Sequence, residues 1–153
     1  MKREERFKLI PSVYLILEKE GKILLSRRFQ TGYEDGKYSM VAGHADGGET
    51  LREALRREVQ EEAGIRLDLS KLELVLTMHR WCGDHERADF FFKADVWEGE
   101  IKNMEPDKCD DLKWFLPTEL PENIVPYIRT AIECYVSGTR YAEFGWEEKN
   151  YAR

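Results

Sequence analysis

The stretch from Thr50 to Gly64 carries its own start and stop signals, and it constrains the fold more than any other part of the chain. Thr50 is followed three residues later by Glu53, the spacing of a capping box that ties off free N–H groups at a helix start. Gly64 stands where a left-handed C-terminal cap belongs. Between them, residues 51–63 are good helix formers with no glycine or proline. The helix is flanked by strand-like segments. Residues 9–17 and 23–29, around the polar turn Glu18-Lys19-Glu20-Gly21-Lys22, predict a hairpin. Residues 38–42 predict a short strand and residues 43–49 a glycine-rich loop. Residues 72–81 and 88–97, around Gly83-Asp84, predict a second, longer hairpin, and residues 112–115 another short strand. Residues 124–136 have apolar side chains at helical spacing and Gly138 after them as a stop. Strands, helix, strands, helix imply an α/β fold with a mixed β-sheet and helices packed on it.

A wheel at ~100° per residue places Arg52, Glu53, Arg56 and Gln60 on one side of the first helix, and Leu51, Ala54, Leu55 and Val59 on the other. Glu58 falls in angle between Leu51 and Ala54, with Glu61 and Glu62 flanking it. Their i, i+3, i+4 spacing brings three carboxylates to one face. Like charges this close repel, and burial beside leucines adds a desolvation cost. A cation offsets both, and hard carboxylate oxygens suit Mg²⁺ or Mn²⁺ better than zinc. A glutamate-rich helix that is merely solvated is the competing reading, but it expects the glutamates opposite the leucines.

The segment Gly43-His44-Ala45-Asp46-Gly47-Gly48-Glu49, followed further on by Arg57-Glu58-Val59-Gln60-Glu61-Glu62-Ala63-Gly64-Ile65, resembles the box of the Nudix hydrolase superfamily, with its MutT-like branch as the nearest pattern. All nine specified positions between Gly43 and Ile65 match. The resemblance implies a Nudix-type α/β/α sandwich and a loop–helix–loop metal site. Glu58, Glu61 and Glu62 match the family's metal-binding glutamates, and the backbone carbonyl of Ala42 matches a further ligand. Arg57 and Glu49 match residues that brace the loop against the helix. Gly43 either allows close backbone approach near the metal or simply serves the turn. Gly64 is a helix cap on either reading. The implied activity is metal-dependent attack of water on a phosphoanhydride, with Glu61 as first choice for the proton acceptor. A base from a distant loop is the other option.

Outside the box, Arg27 and Arg28 end the second strand and either face phosphates or remain surface charge. Tyr33, Asp35, His79 and Trp81 are candidates to line a base pocket, with ordinary packing the alternative for the aromatics. Glu105 or Asp111 is a candidate extra metal ligand, and a solvated acidic loop the alternative. Phe144 and Trp146 are read as anchors of the tail. The marks of the family's ADP-ribose, diadenosine polyphosphate and NADH-cleaving branches are missing. Their absence leans towards a nucleoside triphosphate substrate, with a related nucleoside diphosphate derivative as the wider class. A catalytically silent nucleotide-binding module is the main alternative, but it expects lost box carboxylates. Isopentenyl diphosphate isomerase needs a cysteine before the box, and none precedes Cys82.

The 153 residues fit one domain, 1–153. A net charge of −6 disfavours a nucleic-acid polymer as partner and leaves a small nucleotide-like substrate. Three scattered cysteines read as reduced thiols in a cytoplasmic protein. No apolar run approaches the ~20 residues of a membrane span. A monomer or homodimer is expected.

Overall fold

In a computed structural model, residues 1–147 are described. The chain runs β1 (Ile10–Lys19), β2 (Lys22–Arg28), β3 (Tyr38–Ser39), β4 (Ala42–His44), α1 (Leu51–Ala63), β5 (Glu73–Trp81), β6 (Glu86–Ala94), β7 (Cys109–Phe115), α2 (Pro126–Ser137) and β8 (Tyr141–Phe144). The eight strands form one mixed sheet in the order β3-β2-β1-β6-β5-β8, with β4 paired to β1 and β7 to β2. β1 lies parallel to β6, and β5 parallel to β8; the remaining pairs are antiparallel.

Strand β1 explains the layering. Its residues 12–17 are all buried, as in a strand covered on both faces. Alternate side chains enter opposite cores. Val13, Leu15 and Leu17 pack with Ala54, Leu55, Val59 and Ala63 of α1, while Tyr14 and Ile16 pack with Ile128, Ala131 and Ile132 of α2. The result is the expected α/β/α sandwich with a mixed sheet. No described helix is long and apolar enough to cross a membrane.

The expected first helix and the observed α1 share their bounds. The expected hairpins correspond to β1–β2 and β5–β6. Three expectations need correcting. The one strand expected over residues 38–42 is divided between β3, paired with β2, and β4, paired with β1. The loop expected from residue 43 begins as strand: Gly43 and His44 continue β4 and pair with Val13 and Ser12. The tail after Gly138 contains a further strand, β8, added beside β5.

Candidate active site

The site grows from the junction of β4 with α1. At the helix start, Thr50 Oγ1 accepts from the Glu53 N–H at 3.1 Å, and the Glu53 carboxylate accepts from the Thr50 N–H at 2.9 Å. At its end, Gly64 takes φ 69°, a left-handed conformation that glycine adopts without steric cost. The connecting loop is tied down by Arg57. Its guanidinium donates to Glu49 at 2.8 and 3.3 Å, to the His44 carbonyl at 3.2 Å and to Glu58 at 2.8 Å, and it pairs with Asp46 at 3.1 Å. Hydrogen bonding from Arg57, reinforced by the Asp46 N–H, holds the Glu49 carboxyl below its usual range. The same partners hold Arg57 firmly protonated.

The three helix glutamates occupy different environments. Glu62 is the deepest in charge terms: burial, then the neighbouring Glu58, pushes its carboxyl up to about 8, against the opposing hydrogen bond from the Ala42 N–H at 3.1 Å. Glu58 is also raised, chiefly by burial, with Arg57 pulling the other way. Glu61 is more than half exposed and sits 3.9 Å from Arg57. Gly43 meets Glu58 face on, so a Cβ added there would overlap the Glu58 carboxyl group. The close approach expected at Gly43 is thus to a glutamate side chain.

Glu58, Glu61 and Glu62 line one cleft of about 480 Å³ together with Glu105, Arg27, Arg28 and Lys108. Glu105 pairs with Lys108 at 3.4 Å and adds to the charge acting on Glu62. Among the described residues no three acidic, His or Cys side chains are already drawn together into an ion-sized cage. Glu58 leans onto Arg57 and Glu62 onto the Ala42 amide. The donor set nonetheless fits a hard divalent cation: four carboxylates line one cleft, one of them half-buried where its charge is costly.

A second cavity, of about 750 Å³, adjoins the first and shares Arg28 and Ala42 with it. Tyr33 and Trp81 line it, as does Phe144, a residue whose expected role is only to anchor the tail. Trp146 does anchor: its Nε1 donates to the His79 carbonyl at 3.0 Å, and its ring lies against His79 and Trp81.

Several candidates are turned elsewhere. Asp35 is absent from both clefts, because its carboxylate accepts from the Thr31 hydroxyl and from the Thr31 and Gly32 N–H groups and closes its own loop. His79 is bonded to Glu86 at 2.8 Å. Asp111 accepts from the Tyr38 hydroxyl and lines neither cleft. Arg27 reaches the glutamate cleft but is paired to Asp110 at 2.7 Å.

Sequence reasoning missed the floor and far wall of the larger cavity. Arg80 and Asp89 form a buried ion pair at 2.6 Å, the Tyr14 hydroxyl donates to Asp89 at 3.1 Å, and the Arg80 guanidinium lies 3.7 Å over the Tyr127 ring. On the wall, Arg87 donates to Ser12 at 3.2 Å, His44 at 2.6 Å and His85 at 3.1 Å. The available signal was strand parity. Arg80 and Asp89 share the inward parity of Met78 and Phe91, where an unpartnered charge would not be tolerated.

The family model described as the NUDIX domain matches residues 8–133. A curated relative, the NAD-capped RNA hydrolase NudC of Pseudomonas putida, is 34% identical over 116 residues, which is 74% of this chain but only 39% of that protein. Among solved structures, a MutT NUDIX hydrolase from Burkholderia pseudomallei superposes with a TM-score of 0.75 at 26% identity, covering 82% of this chain and 97% of the other. A NUDIX hydrolase from Nitrosomonas europaea gives a TM-score of 0.65 at 26% identity, covering 88% and 93%. Such hydrolases generally use divalent metal ions. The nine-position box, the sandwich built around it and these relatives agree, and the chain belongs to the Nudix hydrolase superfamily.

Proposed function

We propose that residues 1–153 form a single catalytic domain that hydrolyses a phosphoanhydride of a nucleoside triphosphate, or of a related nucleoside diphosphate derivative, by attack of water on phosphorus. The observation that carries this reading is the glutamate cleft, where Glu62 is half-buried and raised to about 8 among further carboxylates, immediately beside a nucleoside-sized cavity.

Glu58, Glu61 and Glu62 would hold Mg²⁺ or Mn²⁺, with Glu105 close enough in the cleft to assist and the Ala42 carbonyl as a further donor. Bound there, the metal would neutralise the anhydride oxygens and activate water. Arg57 is a positioning residue: it fixes the β4–α1 loop to the helix and sets the direction of Glu58. Glu61 is the proton acceptor of choice, because Glu58 is engaged by Arg57 and Glu62 by the Ala42 amide, while Glu61 remains exposed to the cleft. Arg28 lines both cavities and would bridge the phosphate chain and the rest of the substrate. Tyr33 and Trp81 offer aromatic surface to a base.

The free thiols of Cys82, Cys109 and Cys134 fit a reducing, cytoplasmic setting. A small nucleotide-like substrate and a monomer or homodimer complete the proposal. The curated relative's printed activity on NAD-capped RNA brings dinucleotides and capped RNA into the test. The deciding experiment incubates the protein and Mg²⁺ with nucleoside triphosphates, dinucleotides and a capped RNA, and identifies the products by chromatography. Release of a nucleoside monophosphate from at least one substrate supports the reading. Nucleotide binding without cleavage of any of them would favour a silent binding module.

A further inference from the structure

The larger cavity is cationic in a chain whose net charge is −6. Its charged lining comprises Arg28, Arg80 and Arg87 against one carboxylate, Glu34, and Glu34 is paired with Lys37 at 2.6 Å. Asp89 balances Arg80 from beneath. Among the described residues neither Arg28 nor Arg87 is within ion-pair distance of a carboxylate, although Asp35 acts on Arg28 from further off.

Each guanidinium is held by one part of its fork and leaves another part open. Arg28 spends Nε on the Tyr33 carbonyl at 2.6 Å and Nη2 on the Thr31 hydroxyl at 3.0 Å. Arg80 spends Nε and Nη2 on Asp89 and Tyr14. Arg87 spends Nε on His85 and Nη1 on Ser12 and His44. Among the described residues, Arg28 Nη1, Arg80 Nη1 and Arg87 Nη2 therefore meet no protein acceptor. Arg80 is only 7% exposed, lies over the Tyr127 ring and lines the cavity, so its guanidinium adds positive charge to that cavity's floor. Arginine forks held this way match the oxygens of a phosphate.

Arg80 and Arg87 are not placed for the anhydride that is cleaved, since neither lines the glutamate cleft, whereas Arg28 lines both cavities. We propose that the larger cavity binds a second anionic group of the substrate, a phosphate ester remote from the cleaved anhydride, so that the preferred substrate is a nucleotide carrying two separated phosphate groups. The proposal rests on the reading above in assigning the cleaved anhydride to the glutamate cleft.

The test uses matched ligands that differ by one remote phosphate: NADP⁺ against NAD⁺ (a 2′-phosphate), and coenzyme A against dephospho-coenzyme A (a 3′-phosphate). Dissociation constants are measured calorimetrically with the full chain and Ca²⁺ to fill the carboxylate cleft, under conditions where chromatography shows no product. The phosphorylated member of at least one pair should bind tenfold or more tightly, and which pair responds identifies the ester position. Arg87→Gln should bring that ratio to within about twofold, whereas Arg66→Gln, on the exposed surface, should leave it unchanged. Equal or weaker binding of both phosphorylated members, no binding of any ligand, or a preference that survives Arg87→Gln overturns the proposal. Turnover with Mg²⁺ is read separately. Cleavage of NAD⁺ without any phosphate preference in binding overturns this inference and leaves the hydrolase reading standing. A phosphate preference with no cleavage of any nucleotide overturns the hydrolase reading and leaves the larger cavity as a phosphate site for a bound nucleotide.

Discussion

Replacing Glu62 by glutamine should make the metal-free protein more stable at alkaline pH while disabling it as an enzyme. Burial is the main cause of the raised carboxyl, at about 8 against an ordinary 4.5, and repulsion from Glu58 adds to it. At about 1.4 kcal/mol per tenfold change in proton affinity, ionising Glu62 costs the metal-free fold roughly 3–5 kcal/mol. Because the folded state holds this proton more tightly than the unfolded chain, the stability is fully present below about pH 4.5. It declines as pH rises from there and is lost once pH passes through about 8. The introduced glutamine cannot ionise, and its amide oxygen can still accept from the Ala42 N–H, so the variant should lack this part of the decline. The assay is urea unfolding in excess EDTA, followed by tryptophan fluorescence, at intervals from pH 5 to 9.5. The difference between the two proteins should be small at pH 5 and reach ~3 kcal/mol in favour of Glu62→Gln at pH 9. Added Mg²⁺ should restore the wild type at pH 9 and do little for the variant. Parallel pH profiles, or a variant less stable at pH 9, would refute the reasoning.

Three further substitutions probe the same helix and its loop. Gly43→Ala should lose ~1–3 kcal/mol and most turnover, because its Cβ overlaps the Glu58 carboxyl; an unchanged melting temperature with full activity contradicts the close packing. Thr50→Ala should lose ~1 kcal/mol through the helix cap and keep its chemistry; thermal unfolding beside a turnover assay checks both halves. Glu61→Gln should lower turnover by about 10²–10⁴-fold, whereas Glu53→Gln, engaged only in capping, should leave it nearly intact. Similar turnover by the two variants would remove the active site from this face.

Helix α1 was legible from the sequence because its determinants are local: the Thr50–Glu53 box, an uninterrupted run of helix formers and Gly64 all lie within the segment they define. The box motif also located the β4–α1 junction. What was harder to read depends on distant partners. Strand β8 is four residues long and exists through parallel pairing with β5, which no local pattern announces. The start of the loop after Ala42 became strand because β1 offered it a partner. Angular position on the wheel grouped the three glutamates, which line one cleft, but it did not foresee that Glu61 stays exposed while Glu62 is half-covered; that depends on which segments pack over each end of the helix. Glu105 joined the glutamates and Asp111 did not, because Asp111 meets the Tyr38 hydroxyl across strands. The arginines of the larger cavity were the least visible, since strand charges become informative only once their facing side chains are known.

The most direct test of the central claim follows one cleavable nucleotide in ¹⁸O-labelled water, with Mg²⁺ and again with excess EDTA, by mass spectrometry of the products. The glutamate cleft predicts cleavage with one ¹⁸O entering a phosphate product in Mg²⁺, and no cleavage in EDTA. Undiminished turnover in EDTA, or label appearing only off phosphorus, would contradict metal-dependent attack of water on the anhydride.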